Sequence, residues 1–208
     1  LTDFEGQVTV FGNNVAENPV EVKKRIGYVP ETAALYDTLT PLEYLRFIGQ
    51  IYGISSETIL ARTQKMLELF GLKDHLNLRM NTFSKGMKQK VLVTAGMIHD
   101  PDILFLDEPL AGLDANTAMV IKEILAQLAA KGKTIFYCSH VMDVVERICH
   151  RIIIIDKGTI IANGSFDELQ DMNKGKSLEG IFSQLTGSSG HAEKASEFIS
   201  AFHNETKK

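Results

Sequence analysis

The chain has 208 residues, 44% of them hydrophobic and 23% charged, with a formal net charge of −4, an ordinary composition for a globular protein that buries a real core. Its lysines and arginines are scattered, which argues against a nucleic-acid footprint. Cys138 and Cys149 are too few for a disulfide framework and are expected as reduced core thiols, and no apolar run approaches the roughly 18 residues of a membrane-spanning helix, so a membrane association is expected to run through a partner.

In chain order, Gln7 to Phe11 alternates polar and apolar residues and stops at Gly12-Asn13-Asn14, which predicts a strand and a turn. Ile26 to Val29 reads as a second short strand, halted by Pro30. Thr40-Pro41-Leu42-Glu43 is a capping box with proline at the first helical position, opening a helix to about Tyr52. A further helix is predicted over Glu57 to Phe70, from the spacing of Ile59, Leu60, Met66, Leu67 and Phe70, with Gly71 placed to end it. Two consecutive helices with no strand between them mark a separate helical lobe.

Beyond Ser84 the pattern alternates. A helix from about Gly86 to His99 leads to strand Ile103–Leu106, helix Asn116–Lys131, strand Thr134–Ser139, helix Val141–His150 and strand Arg151–Asp156. Repeated β-α-β with nearly all-apolar strands predicts a parallel sheet covered on both faces. Lys157-Gly158 turns the chain into Thr159–Asn163, an expected hairpin, and Ser165-Phe166-Asp167-Glu168 caps a last helical region. Gly187-Ser188-Ser189-Gly190 reads as a flexible joint before a polar terminal helix.

The chemistry concentrates at strand ends, where ligands of parallel sheets bind. Asp107 and Glu108 follow the apolar run Ile103–Leu106, and adjacent acids there call for a cation or a water to hold. Ser139-His140 ends the next strand. Phosphoryl transfer to water needs a carboxylate for magnesium, a group to orient the water and donors for the γ-phosphate; Asp107, Glu108 and His140 suit these in turn. Ser84-Lys85-Gly86 stands at a helix start, where a hydroxyl and backbone N–H groups can face an anion. Each piece also has a plain alternative: a solvated turn, a structural histidine, an N-cap. Order and spacing on one β-α-β frame give the set its specificity.

With those residues in view, the chain resembles the nucleotide-binding domain of ABC (ATP-binding cassette) transporters over about residues 1 to 165. Ile103 to Glu108 is similar to the Walker B strand with its glutamate, Ala111-Gly112-Leu113-Asp114 to the D-loop, and Ser139-His140 to the switch histidine. Phe83-Ser84-Lys85-Gly86-Met87 resembles the signature sequence in a form with lysine and methionine. Tyr28-Val29-Pro30-Glu31 falls at the Q-loop, with Glu31 in place of glutamine. Leu35 to Thr40 and Leu178 to Phe182 look like the ABC-2 group, which pairs its ATPase with a separate membrane subunit and mostly exports.

The resemblance implies an α/β fold, a P-loop NTPase-like (RecA-type) parallel sheet core with an inserted helical subdomain. The implied division is 1–30 for the amino-terminal core remnant, 31–88 for the helical subdomain ending in the signature, 89–165 for the catalytic core and 166–208 for a helical tail. Two domains would sandwich two ATP molecules head to tail, with Ser84, Lys85, Gly86 and Met87 serving the nucleotide of the opposite subunit. Asp107 and Glu31 would hold Mg2+, Glu108 would polarise the attacking water, His140 would touch the γ-phosphate and Asp114 would link the sites. Implied partners are ATP, a second nucleotide-binding subunit and a transmembrane permease, with no nucleic acid, and the implied place is the cytoplasmic face of the cell membrane. Other readings are a soluble ABC ATPase of translation or DNA repair, and a non-catalytic interaction module.

The family's phosphate loop, G-x-x-x-x-G-K-[ST], does not occur in these residues. By the spacing of a strand–loop–helix unit it is expected roughly fifteen to thirty residues before Leu1. The 208 residues alone are therefore expected to be nearly inactive, and marginally soluble or oligomeric.

Overall fold

The structure is a computed structural model describing residues 4–32, 35–187 and 191–202. The chain forms two compact units, residues 1–140 and 141–208.

The first unit begins with a small hairpin, β1 (Thr9–Val10) antiparallel to β2 (Asn13–Asn14). The expected strand Gln7–Phe11 is this much shorter because Phe11 and Gly12 both take positive φ, 48° and 79°, making a two-residue turn of the kind that matches strand twist. Helix α1 (Pro19–Lys24) was not anticipated; Pro19 opens it and Lys23 and Lys24 fall in its last turn. Strand β3 (Ile26–Val29) follows.

The helical lobe holds α2 (Pro41–Ile51) and α3 (Ser56–Leu69). The predicted capping box is present: Thr40 Oγ1 accepts the Glu43 N–H at 3.2 Å, and the Glu43 carboxylate accepts the Thr40 N–H at 2.8 Å. Ser55 caps α3 through the Thr58 N–H, and Gly71, at φ 70°, lets the chain leave it. The two helices touch closely, since a Cβ on Gly49 would lie 2.6 Å from Ile59. Leu45, Ile59, Leu67 and Met80 are buried between them and the rest of the unit.

Helix α4 (Lys85–Met97) is buried at every position from Gln89 to Gly96 except Lys90. It lies against β3 so closely that Gly27 and Gly96 have no room for a side chain. Strand β4 (Ile103–Asp107), helix α5 (Ala115–Ala130) and strand β5 (Thr134–Cys138) complete the unit. The sheet is parallel in the order β3-β4-β5, with Val29 opposite Leu106 and Leu106 opposite Tyr137. Val29, Leu104 and Leu106 are buried on it. The expectation of two covered faces needs correcting: Tyr28, Phe105 and Phe136 form one cross-strand row with 58%, 36% and 45% exposure, the two phenylalanine rings stacked at 4.6 Å. Side chains alternate across a strand, so the apolar run of β4 serves a buried face and a partly open one. Cys138 is exposed and Cys149 half-buried, so neither is a core thiol.

The second unit contains α6 (Met142–Ile148), β6 (Ile152–Asp156), β7 (Thr159–Gly164), α7 (Phe166–Met172), α8 (Leu178–Leu185) and α9 (His191–Ala201). Strand β6 pairs antiparallel with β7, the hairpin expected from the sequence. Lys157 and Gly158, at φ 47° and 78°, make the tight turn that brings the two together. Ile152, Ile154, Leu169, Leu178 and Ile181 form its core. Ser165 and Glu168 form the expected capping box. The joint expected at Gly187–Gly190 falls mostly outside the described residues. No described helix is long and apolar enough to cross a membrane.

Candidate functional site

Strands β4 and β5 end side by side, and the candidate residues sit at and just beyond their ends. Asp107 is the last residue of β4 and stands opposite Cys138. Glu108 continues the pairing with its N–H donating to the Cys138 carbonyl at 3.0 Å, then turns the chain sharply, the Ala111 N–H donating back to its own carbonyl at 3.0 Å. Its φ is 46°, a left-handed conformation that costs a non-glycine residue energy and recurs at functional positions.

The Glu108 side chain is held by the residues that end β5. One carboxylate oxygen accepts both the His140 backbone N–H and His140 Nδ1, each at 2.6 Å, and the other accepts the Ser139 hydroxyl at 2.9 Å. Burial pushes the Glu108 carboxyl up, but the His140 backbone, the Ser139 hydroxyl and the His140 ring together outweigh it and hold it below its ordinary value. Glu108 is therefore an anion at neutral pH. The Glu108 side chain is 14% exposed and that of His140 83%, so the carboxylate is enclosed while the imidazole lies open to solvent. The thiol of Cys138 reports the local field: burial first, then the charges of Asp107 and Glu108, push it up.

The signature-like residues form the start of α4. Ser84 is its N-cap, accepting the Met87 N–H at 3.2 Å, and Lys85, Gly86 and Met87 make the first turn. This end touches the loop after Glu108: a Cβ on Gly86 would lie 2.6 Å from the Gly112 carbonyl oxygen, and one on Gly112 would meet the Lys85 side chain at 3.3 Å. Asp114 is the N-cap of α5, accepting the Thr117 N–H at 2.9 Å and its hydroxyl at 2.7 Å. Those two bonds, followed by the Lys90 ammonium 3.5 Å away, hold its carboxyl down at about 2.

The structure thus brings together Asp107, Glu108 and His140, and separately packs Ser84 to Met87 against the loop that leads to Asp114. Glu31 lies exposed just past the end of β3, with no contact that ties it to Asp107. Gln89 and Lys90 are contributors that sequence reading did not single out, and Ser139, named there only beside His140, is found to hold the Glu108 carboxylate. Of the first two, only Gln89 leaves a trace, as a polar side chain on the buried face of a helix.

No group of three or more His, Cys, Asp or Glu side chains among the described residues could cage a metal. Magnesium keeps several waters and takes one or two carboxylates plus substrate phosphates rather than an all-protein cage. Asp107 places one carboxylate at the end of β4.

The family described as "ABC transporter" matches residues 1–111. The chain is 39% identical over 184 residues to the ABC transporter ATP-binding protein NatA of Bacillus subtilis, covering 88% of this chain and 74% of that one. It is 39% identical over 164 residues to the linearmycin resistance ATP-binding protein LnrL of Bacillus subtilis, covering 79% and 53%. With the Nod factor export ATP-binding protein I of Cupriavidus pinatubonensis it shares 35% over 174 residues, covering 84% and 54%, so it spans about half the length of these last two. Among solved structures, the ATP-binding subunit of an ABC transporter superposes with a TM-score of 0.80 at 32% identity, covering 86% of this chain and 75% of that one. A dimeric ATP-binding cassette in a post-hydrolysis state with ADP and Pi shares the fold, at a TM-score of 0.69 and 23% identity over 77% and 73%.

Proposed function

The chain belongs to the ABC transporter family, and we propose that it is the ATP-hydrolysing subunit of an exporter whose channel is a separate membrane protein. The observation that supports this best is the Glu108–His140 pair, joined at 2.6 Å at the ends of neighbouring parallel strands and next to Asp107. The names of the LnrL and Nod factor relatives, one a resistance protein and one an export protein, favour export as the direction of transport.

In this reading Glu108 accepts a hydrogen bond from the attacking water and draws charge from it as the bond to the γ-phosphorus forms. A carboxylate has about four acceptor sites, so the water can bind beside the donors shown, and release of one of them would widen its access. The exposed His140 ring is the one that moves, turning from Glu108 to the γ-phosphate, while the Ser139 hydroxyl keeps the carboxylate oriented. Asp107, with Glu31 as a further candidate, holds Mg2+, which supplies charge neutralisation on the phosphates. Ser84, Lys85, Gly86 and Met87 present a helix start to the nucleotide of a second subunit, and Asp114 stands at the join between the two sites. The four-part division at residues 30, 88 and 165 follows these roles.

The membrane subunit docks on residues 31–55. Tyr36 and Phe47 favour this surface, being 61% and 44% exposed with rings edge-on at 6.1 Å. The working place is then the cytoplasmic face of the membrane. Phosphate release by the purified full-length protein with ATP and Mg2+ tests the proposal. Saturable, Mg2+-dependent hydrolysis is expected; ATP left intact at saturating concentration, with and without the membrane subunit, would overturn it.

A further inference from the structure

Gln89 is 2% exposed in the middle of α4, and its side-chain Nε2–H donates to the carbonyl oxygen of Pro109 at 3.2 Å. Proline has no N–H, so that carbonyl is the one backbone group by which Pro109 can be held. Glu108 immediately before it is fastened through its N–H to Cys138 and through its carbonyl to Ala111. The Gln89 bond completes the set and fixes the left-handed turn that aims the Glu108 carboxylate. Two further contacts from the same helix reach the same loop: Gly86 against the Gly112 carbonyl, and Lys90 3.5 Å from Asp114.

We infer that Gln89 is a positioning residue for hydrolysis, locking the start of α4 to the turn that bears Glu108 so that the two move as one piece. The inference rests on the proposed role of Glu108. Its consequence is that Ser84 and Glu108, which serve different nucleotides in a two-subunit sandwich, cannot be displaced independently within one subunit.

Two variants of the full-length protein test this, read by steady-state ATP hydrolysis. Gln89→Met keeps length and volume but removes the donor, leaving the Pro109 carbonyl buried without it. A drop in kcat of about 10- to 100-fold is expected, with KM for ATP within about threefold, because misplacement acts on the chemical step. Gln89→Glu supplies a donor only when its carboxyl is protonated, and burial favours the protonated form. Its kcat relative to the parent is therefore expected to rise as pH falls from about 8.5 to 6, a response that a space-filling role would not give.

A parental kcat in Gln89→Met, a raised KM with unchanged kcat, or a flat pH ratio in Gln89→Glu would overturn the inference. So would loss of the folded state in both variants, since the bond would then serve stability alone. Glu108→Gln run alongside separates the two levels. Parental turnover in Glu108→Gln removes the reading of the site itself. An inactive Glu108→Gln beside a fully active Gln89→Met removes only the inference about Gln89.

Discussion

Gly27→Ala is the substitution whose effect follows most directly from the geometry of the first unit. Gly27 sits in β3 with an ordinary φ, so alanine suits the backbone there, but an added Cβ would lie 2.1 Å from the Gly96 carbonyl oxygen and 2.8 Å from both Leu104 and Pro101. A carbon approaches a carbonyl oxygen no closer than about 3.3 Å in ordinary contacts, so the two backbones must separate by roughly 1 Å. The obstructing atom belongs to a helix backbone and cannot rotate away. Moreover, Gly96 is itself packed against the same strand, where a Cβ would meet Val29 at 2.6 Å. Overpacking a core costs about 1–3 kcal/mol and occasionally more; with no rotamer to relieve it, about 3 kcal/mol or above is expected here. For a chain of this size that is a fall of roughly 6–12 °C in the transition of the first unit. Thermal unfolding followed by circular dichroism measures it, with Gly180→Ala as the contrast. Gly180 lies in α8 with its nearest would-be Cβ contact at 3.4 Å, so alanine there is expected to stabilise by about 0.5–1 kcal/mol. A Gly27→Ala protein that melts within about 2 °C of the parent would refute the close packing of α4 on β3.

Two other outcomes follow from single side chains. His99 stacks on Tyr52 at 3.6 Å and hydrogen-bonds the Ile26 carbonyl at 3.0 Å. Burial lowers its proton affinity more than the Ile26 bond and Asp100 raise it, with Arg62 and Lys133 adding to the lowering. The unfolded chain therefore takes up a proton near the ordinary histidine value before the folded one does, so this contribution to stability is whole above that pH and is lost below it. Melting points between pH 7.5 and 5 should fall more steeply for the parent than for His99→Gln; equal slopes would contradict the assignment. Ser55→Ala removes the cap of α3 and should cost about 1 kcal/mol, which urea titration would resolve; an unchanged midpoint would show the cap to be idle.

Much of the site was legible because its signals are local. An apolar run that stops at Asp107-Glu108 marks a strand mouth, Ser-His marks the next, and Ser84 ahead of a helical pattern marks a cap. The capping boxes at Thr40 and Ser165 and the turn at Lys157-Gly158 were legible for the same reason. What escaped depends on contacts between distant residues. Gln89 meets Pro109 across 20 positions, and nothing near either residue announces the partner. The short helix Pro19–Lys24 is too brief for periodicity to reveal. The run Ile152–Ile155 looks like a strand buried on both faces, yet Ile153 and Ile155 are 48% and 61% exposed. A uniform apolar strand states how much it could bury, not how much it does. Asp114 shows a different ambiguity, since the same carboxylate is both a D-loop residue by resemblance and the cap of α5 by geometry.

The most direct measurement is ATP binding and phosphate release by the full-length protein with Glu108→Gln. The amide keeps the size and the oxygen that accepts from Ser139 or His140 but loses the charge that draws on the attacking water. ATP binding within about threefold of the parent, with hydrolysis reduced by a factor of about 100 or more, is the predicted result. Turnover at the parental rate, with ATP bound equally well, would contradict the assignment of Glu108 and with it the chemistry placed at the ends of β4 and β5.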